Sequence, residues 1–377
     1  MFIQRSQMSA IKADLKKKMV ILSGPRQVGK TYLSREIMKE YSSPVYLNYD
    51  AMDHRGIIEK RSWLDSTDLI VFDEIHKMSG WKNYLKGVFD TRNDNLHILV
   101  TGSARLEAFR GVGDSLAGRY FSHKLLPLNL NELGQVSELE NLLQMGEFPE
   151  PYSSKDLTES ARWRSQYIDG LIREDILDFE KIHDFKKIQL TLEVLRNRVG
   201  STISYKSIAE DIEASPNTVK RYIEIFESLF IIFRVTPYST NIARSLLKEP
   251  KIYFYDTGMV KGDDGARFEN HAALSLLKDL SIFGERNGVR AELKYIRTKE
   301  KKEIDLCRVV NDQIIDAIEV KLSDDQITDS VKYFSKRYDF QIYQLVKNLK
   351  VERKEKLINV VRGDKFLHSC ADKLFIP

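Results

Sequence analysis

Short apolar runs alternate with helix-like segments through the first 135 residues of the chain. The spacing of apolar residues over 31–41 predicts a helix, and the β-branched and aromatic runs around it predict buried strands. An alternation of this kind is typical of a parallel sheet with helices on both faces. The strands are predicted at 19–24, 45–50, 69–74 and 97–103.

The pattern changes beyond residue 135. Residues 138–200 are rich in charge and mostly helical in spacing, and residues 204–236 predict two short helices followed by a strand. From about residue 250 the pattern is mixed α and β again, with strands predicted at 316–322 and 341–346. The segment GDDGAR at 262–267 has the composition of a loop and is a candidate domain boundary.

Composition narrows the class of protein but leaves the function open. With 42% hydrophobic and 30% charged residues the chain can bury a sizeable core, and its net charge of +4 is compatible with nucleic acid without indicating it. Cys307 and Cys370 lie too far apart in sequence to suggest a zinc or disulfide framework. Since we find neither an apolar run of about 18 residues nor the apolar core of a signal peptide, we expect a cytoplasmic protein without a membrane span.

A glycine-rich segment follows the first predicted strand. Residues 24–31, GPRQVGKT, match the phosphate-loop pattern GxxxxGK[ST] between a strand and a helix. Such a loop turns backbone N–H groups toward phosphate oxygens, and the following helix N-terminus favours an anion. Lys30 is expected to reach the β- and γ-phosphates and Thr31 to ligate Mg²⁺. The predicted nucleotide-binding residues are Gly24, Pro25, Arg26, Gln27, Val28, Gly29, Lys30, Thr31, Asp73 and Ser103.

Two carboxylates, Asp73 and Glu74, end the third predicted strand. Asp73 is expected to hold the Mg²⁺ shell and Glu74 to polarise the water that attacks the γ-phosphate. Thr101 or Ser103 is expected nearby, because the carboxyl ends of parallel strands share one crevice. The alternatives are a glycine-rich turn with an acidic strand end, and a strand-end turn at Ser103. We interpret His76 as a packing or surface group.

Arg119 is a candidate for the arginine that stabilises charge on the transferring phosphoryl group. It could act within its own chain or from a neighbouring subunit, and for the latter reason we expect a homo-oligomer. Arg105 and Arg110 compete for the role, and a structural salt bridge is the alternative for Arg119.

The segments GPRQVGKT, LIVFDEIHK, VTGSAR and LAGRYFSHKLLPLNLNEL resemble the AAA-superfamily ATPases of bacteria and archaea that carry a C-terminal DUF4143 domain. IYFYDTGMV at 252–260 also resembles a recurrent stretch of that C-terminal region. The resemblance covers most of the chain and implies a five-stranded ATPase sheet in which the Asp-Glu strand lies beside the phosphate-loop strand. It further implies ATP rather than GTP, in agreement with the lack of an NKxD-type guanine motif in the expected place.

Residues 203–236 predict a winged helix-turn-helix. Ser215-Pro216 has the composition of a helix start, and FIIFRV then supplies the first strand of a wing. Outward positions that could meet DNA are Asn217, Thr218, Lys220 and Arg221, whereas Glu224 and Glu227 would repel phosphates if they faced the same way. The alternative is a packing bridge between domains.

Spaced acids near the C-terminus have the layout of a PD-(D/E)xK nuclease core. Glu319 and Lys321 share one strand face, Asp305 lies on a neighbouring predicted strand, and Glu269 lies on a predicted helix. We predict Asp305, Glu319 and Glu269 as ligands of Mg²⁺ or Mn²⁺, and Lys321 as the group that orients or deprotonates water. The set resembles the restriction-endonuclease-like domain of related ATPases. The alternatives are a solvated strand and an intact fold used only for binding.

Taken together, the sequence predicts an ATP-binding and hydrolysing AAA-family protein that acts on DNA. The predicted fold is α/β, with a P-loop ATPase domain over 1–135 and a helical region over 136–245 that contains the winged helix at about 200–240. A restriction-endonuclease-like domain with a metal-dependent nuclease-like site is predicted over 246–377. The alternative is a nucleotide-dependent switch or scaffold whose C-terminal domain binds a partner and is catalytically inactive.

Overall fold

The computed structural model describes residues 3–103, 116–172, 184–239 and 249–377. The chain divides into two compact units, Met1–Pro127 (unit 1) and Leu128–Pro377 (unit 2). Arg105 and Arg110, the competing candidates for the phosphate-sensing arginine, lie outside the described residues. The finer division of the chain into three domains stays a prediction.

Unit 1 is built on a parallel five-stranded sheet. The four predicted strands are confirmed to within three residues at their ends. A fifth strand was not predicted, because its sequence YFSHK lacks an apolar run. The elements are β1 Met19–Ser23, β2 Pro44–Asn48, β3 Leu69–Asp73, β4 His97–Thr101 and β5 Tyr120–Lys124, with α1 Met8–Leu15, α2 Lys30–Met38, α3 Met52–Lys60 and α4 Trp81–Asp90.

The strand order β2-β3-β4-β1-β5 corrects one expectation. The strand that ends in Asp73 was expected beside the phosphate-loop strand, but β4 lies between them, since Leu99 pairs in register with both Val20 and Val71. With one strand inserted, the two charged strand ends lie two inter-strand spacings apart, about 9.6 Å. The polar end of β4, Thr101 and Ser103, therefore lies between the phosphate loop and the acids.

Burial of the strands explains why their polar ends are held in place. The side chains of β1 and β3 are buried along their whole length. On one face α4 packs Trp81, Leu85 and Val88 in the same apolar cluster as Phe72 of β3. These three helix positions recur at i, i+4 and i+7, the spacing of an apolar helix stripe.

Unit 2 contains an eight-stranded mixed sheet in the order β12-β13-β11-β10-β9-β8-β6-β7. Its strands are β6 Ile232–Pro237, β7 Lys251–Phe254, β8 Ala291–Arg297, β9 Glu303–Val310, β10 Gln313–Lys321, β11 Gln341–Val346, β12 Arg353–Glu355 and β13 Ile358–Arg362. Its described helices are α5 Leu130–Leu133, α6 Leu139–Met145, α7 Pro149–Ser154, α8 Leu157–Gly170, α9 Phe185–Arg196, α10 Tyr205–Asp211, α11 Pro216–Ser228, α12 Asp264–Asn287, α13 Asp329–Arg337 and α14 Gly363–Ser369.

The segment predicted as two helices and a strand has that structure, in α10, α11 and β6. The Ser215 hydroxyl caps α11 by accepting a hydrogen bond from the Thr218 N–H at 3.1 Å. Strand β6 then joins the large sheet, because Thr236 pairs in parallel register with Lys294 of β8. The classification as a winged helix stays a prediction.

The predicted loop at 262–267 is shorter than expected. Helix α12 already begins at Asp264, because the Asp263 carboxylate accepts a hydrogen bond from the Ala266 N–H at 2.8 Å and so caps the helix. The glycine and aspartate content of the segment reflects this helix start. Of the helices in the described ranges, none is both long and apolar enough to cross a membrane.

Candidate functional site

The backbone of residues 24–29 requires glycine at its two ends. Gly24 has φ +145°, and a Cβ at this position would lie 2.2 Å from the carbonyl oxygen of Leu125. Gly29, with φ 100°, is the N-cap of α2. The guanidinium of Arg5 donates a hydrogen bond to the Val28 carbonyl at 2.9 Å and so holds the middle of the loop. This support from the N-terminal segment was not predicted.

The Lys30 side chain folds back over the phosphate loop. Its ammonium donates to the carbonyl oxygens of Gly24 at 2.9 Å and Pro25 at 2.5 Å, and its side chain is buried. Burial lowers the pKa of Lys30 to about 8, although Glu74 and Asp73 favour the charged form. Bound phosphates would replace the two carbonyls as partners of this ammonium.

Asp73 is held by donors from two neighbouring strands. Its Oδ1 accepts a hydrogen bond from the Thr101 hydroxyl at 2.5 Å, and its Oδ2 accepts one from the Tyr46 hydroxyl. The Thr31 side chain at the start of α2 lies close enough to Tyr46 to oppose the rise in the Tyr46 pKa that burial causes. Tyr46 therefore connects the two predicted Mg²⁺ ligands. The sequence search missed it, although a tyrosine in the predicted strand VYLNYD was a visible signal.

Glu74 follows β3 in a left-handed conformation, with φ 56°. The Ser103 N–H donates to its Oε1 at 3.1 Å, which fixes the carboxylate against the end of β4. Burial raises the pKa of Glu74, while Lys77 at 3.7 Å opposes the shift. A positioned carboxylate with a raised pKa is suited to accept a proton from water.

The structure therefore brings the predicted residues of unit 1 together at the carboxyl ends of β1, β3 and β4. The hydroxyl of Thr31 and the carboxylate of Asp73 are oxygen donors of the kind that Mg²⁺ prefers. Each oxygen of Asp73 accepts one described hydrogen bond and retains a lone pair, so these residues fit a hydrated Mg²⁺ ion. Among the loop side chains, Arg26 is partly exposed and Gln27 is exposed.

Arg119 is not brought to this site within one chain. It immediately precedes β5, and its carbonyl accepts a hydrogen bond from Met19 at the start of β1, whereas the phosphate loop follows the end of β1. Its guanidinium instead binds both carboxylate oxygens of Asp90, at 2.7 and 3.0 Å. The salt bridge that was the alternative is thus present, and a role for Arg119 in a neighbouring subunit stays a prediction.

The predicted acids of unit 2 also converge. Lys321 lies 2.8 Å from Glu319 on the same face of β10, as the two-residue strand repeat requires. Asp305 on the adjacent strand β9 accepts a hydrogen bond from the Val320 N–H at 3.0 Å. Glu269 on α12 accepts one from the Tyr253 hydroxyl at 2.7 Å. Burial raises the pKa values of Glu269 and Glu319, and repulsion from Asp305 adds to the rise.

A lysine that the sequence search missed lies among these acids. Lys251, the first residue of β7, has a side chain that is only 2% exposed. Its ammonium lies 2.8 Å from Glu303, 3.3 Å from Asp305 and 3.9 Å from Glu269. These contacts raise the pKa of Lys251 against the effect of burial, so the side chain is charged. We call the following residues the acid–lysine cluster: Lys251, Glu269, Glu303, Asp305, Glu319 and Lys321.

The acid–lysine cluster does not fit the predicted Mg²⁺ or Mn²⁺ ion. Ligands of these ions lie at about 2.0–2.2 Å in a near-octahedral shell, and a second cation beside the Lys251 ammonium would be repelled. Within the described ranges there is no group of three or more His, Cys, Asp or Glu side chains that could hold a metal ion. The convergence of the acids therefore agrees with the sequence, whereas a metal among Glu269, Asp305 and Glu319 does not agree with this arrangement.

Comparison with known families agrees with the geometry of unit 1. A family model described as AAA domain matches residues 16–134. A second, described as a domain of unknown function (DUF8612), matches residues 136–262. The second match differs from the DUF4143 group that the resemblance had suggested. The N-terminal region thus has an AAA-type P-loop ATPase fold.

Curated relatives and solved structures give more distant similarities. An uncharacterized protein of Mycobacterium tuberculosis is 25% identical over 76% of this chain and 66% of its own length. One of Methanocaldococcus jannaschii is 23% identical over 63% of this chain and 60% of its own length. The chain thus spans slightly less than two thirds of these relatives. A Walker-type ATPase of Pyrococcus abyssi superposes with a TM-score of 0.45 and 14% identity, over 69% of this chain and 95% of that chain.

The lowered pKa of Lys30 predicts that ATP binding takes up a proton above pH 8. Phosphate oxygens favour the charged ammonium, so the pKa rises on binding, and ATP affinity should fall as pH increases from about 8 toward 10. Titration calorimetry at pH 8.5 in two buffers of different ionisation enthalpy measures the uptake. Lys30→Arg is the control, because it stays charged throughout and should show no such uptake. Equal uptake by both proteins would contradict the assignment.

Tyr46→Phe tests the connection between the predicted Mg²⁺ ligands. The variant removes one hydrogen bond to a carboxylate, about 1.5 kcal/mol, so the Mg²⁺ concentration for half-maximal ATP hydrolysis should rise about tenfold. Tyr41→Phe is the matched control, because Tyr41 interacts with His97 at 2.8 Å at the opposite end of the strands. An unchanged Mg²⁺ dependence in Tyr46→Phe would exclude a positioning role for this hydroxyl.

Proposed function

We propose that this protein binds ATP–Mg²⁺ at the phosphate loop of unit 1 and hydrolyses it. The observation that carries the proposal is the convergence of Lys30, Asp73 and Glu74 at one edge of the parallel sheet. The Ser103 N–H donates a hydrogen bond to the Glu74 carboxylate at the same edge. A glycine-rich turn without a ligand would not require a buried lysine beside two carboxylates. The AAA domain match over 16–134 supports the same activity.

Each residue at the site has its own role in phosphoryl transfer. The loop N–H groups and Lys30 bind the phosphates, and Thr31 and Asp73 hold Mg²⁺, which supplies neutralising charge on the phosphate oxygens. Glu74, fixed by the Ser103 N–H, orients the attacking water and accepts its proton. Ser103 belongs to the strand end between the loop and the acids, where the γ-phosphate is expected. Arg119 of a second copy remains a candidate for stabilising the transferring group in a homo-oligomer.

DNA is the partner that we propose for unit 2. Asn217, Lys220 and Arg221 are exposed on the N-terminal half of α11. Glu224 and Glu227 are the acids that could repel phosphates, and both are at least partly neutralised. Glu227 pairs with Arg234, and the Glu224 carboxylate lies 3.9 Å from the Lys220 ammonium. This face of α11 therefore remains compatible with phosphate contacts.

For the C-terminal part of unit 2, the arrangement of the acids favours a binding domain over a metal-dependent nuclease. The lysine contacts of the acid–lysine cluster supply the charge that a metal would otherwise provide. The protein is then a nucleotide-dependent switch whose C-terminal residues bind a partner without cutting it. Absence of metal-dependent DNA or RNA cleavage is the expected result for the native chain.

Glu74→Gln should bind ATP but hydrolyse it 10²–10⁴-fold more slowly, the range for loss of a general base. The amide keeps the shape and the hydrogen bond from Ser103, but it accepts no proton at neutral pH. Binding is measured by calorimetry and turnover by phosphate release. Lys30→Ala should differ by weakening both, because it removes the main cation that contacts the phosphates. Wild-type turnover by Glu74→Gln would exclude Glu74 as the base.

The double variant Lys220→Ala/Arg221→Ala should weaken binding to a DNA duplex and reduce the slope of log K against log salt by about two units. Fluorescence anisotropy across a salt titration measures both effects. Lys354→Ala/Lys356→Ala is the control, since it removes the same charge from exposed positions at and just beyond β12, an edge strand distant in sheet order from β6. If the two double variants lost affinity equally, α11 would be a packing element and not the DNA contact.

A further inference from the structure

The position of Lys251 is fixed by the backbone on both sides. Lys251 pairs in antiparallel register with Val235 of β6, and a bridge joins it to Thr202. Its ammonium lies 5.6 Å from the centre of the Tyr295 ring, which covers it from a further strand. The charge is therefore placed among the carboxylates by paired strands and does not depend on a flexible surface rotamer.

The charges of the cluster are nearly balanced with Lys251 in place. When all four carboxylates are counted as ionised they carry four negative charges, and Lys251 and Lys321 supply two positive ones. Arg297, 3.5 Å from Glu303, supplies a third. The net formal charge is −1, and it becomes −2 if Lys251 alone is made neutral. A divalent cation is the ion that would then restore the balance.

One carboxylate oxygen of the cluster is still available for a ligand. Glu319 is 5% exposed, and its Oε1 pairs with Lys321. Among the described residues its Oε2 has no hydrogen-bond partner. A buried carboxylate oxygen without a donor is costly, and a divalent cation would satisfy it once the Lys251 charge no longer repels such an ion.

We propose that the Lys251 ammonium takes the place of a divalent cation in the acid–lysine cluster. The charges of the native cluster are nearly balanced without a metal, and neutralising Lys251 turns it into a site for Mn²⁺ or Mg²⁺ with Glu269, Asp305 and Glu319 as ligands. The nuclease-like arrangement of the acids is thereby held together without a divalent metal. This inference concerns unit 2 and does not depend on ATP hydrolysis in unit 1.

Mn²⁺ binding to the full-length chain tests the proposal, with free Mn²⁺ measured by electron paramagnetic resonance. All proteins carry Asp73→Asn and are nucleotide-free, so that the phosphate-loop site does not contribute. Lys251→Met, which keeps an unbranched side chain of similar length without charge, should bind one Mn²⁺ at least tenfold more tightly than the parent. Adding Asp305→Asn to Lys251→Met should abolish the gain.

Lys294→Met is the matched control. Lys294 lies in the same sheet and is partly buried, but it pairs with Glu292 at 3.0 Å, outside the cluster. It should gain no Mn²⁺ binding. A general effect of removing one positive charge would appear equally in both lysine variants and would overturn the proposal.

Two further results would also overturn it. One is micromolar Mn²⁺ binding by the parent that Asp305→Asn removes, and the other is a folded Lys251→Met protein with no gain over the parent. If Lys251→Met does not fold without metal, refolding in Mn²⁺ decides the question. Recovery of the native circular dichroism spectrum and of a cooperative thermal transition supports the proposal, and failure to recover them contradicts it.

Discussion

A charged group that leaves water must find an opposite charge or a set of hydrogen bonds, and this constraint determines the arrangement of both units. In unit 1 the buried Lys30 ammonium faces the carboxylates of Asp73 and Glu74 and is held meanwhile by loop carbonyls. In unit 2 the buried Lys251 ammonium faces Glu303 and Asp305. Both sites neutralise a buried ammonium group, but the site in unit 1 can still bind an anion whereas the site in unit 2 leaves little to gain for a cation.

The difference lies in what holds each lysine. Lys30 is satisfied by neutral carbonyl oxygens of its own loop, so an anion such as a nucleotide phosphate offers it a stronger partner. Lys251 is already satisfied by carboxylates, so a cation gains little by competing with it. The first arrangement is ready to accept a ligand, and the second is electrostatically closed to a metal.

Much of unit 1 could be predicted because its signals are local. A buried strand needs a continuous apolar run, and the phosphate loop needs glycine at Gly24 and Gly29, so both are visible in short stretches of sequence. Strand β5 could not be predicted in this way, because Tyr120–Lys124 are mostly polar and their pairing with β1 is a long-range contact. The position of β4 between β1 and β3 likewise follows from packing of the whole sheet.

The candidate sites show the same limit. Lys30, Asp73 and Glu74 were found because each belongs to a sequence motif. Tyr46 was missed because it belongs to none, and the residues that interact with it lie on two other elements. Lys251 has no local signal at all, since its carboxylate partners are 18–54 residues away along the chain. The nuclease-like spacing of the acids indicated Glu319 and Lys321 on one strand face and Asp305 on the neighbouring strand, but it contained no information about the cation among them.

Anomalous diffraction from crystals grown with Mn²⁺ and a non-hydrolysable ATP analogue distinguishes the two sites in one experiment. We expect a manganese peak in coordination with the Thr31 hydroxyl and the β- and γ-phosphates, beside Asp73, and no peak in the acid–lysine cluster. A peak among Glu269, Asp305 and Glu319 with Lys251 displaced, or a nucleotide bound away from residues 24–31, would contradict this expectation.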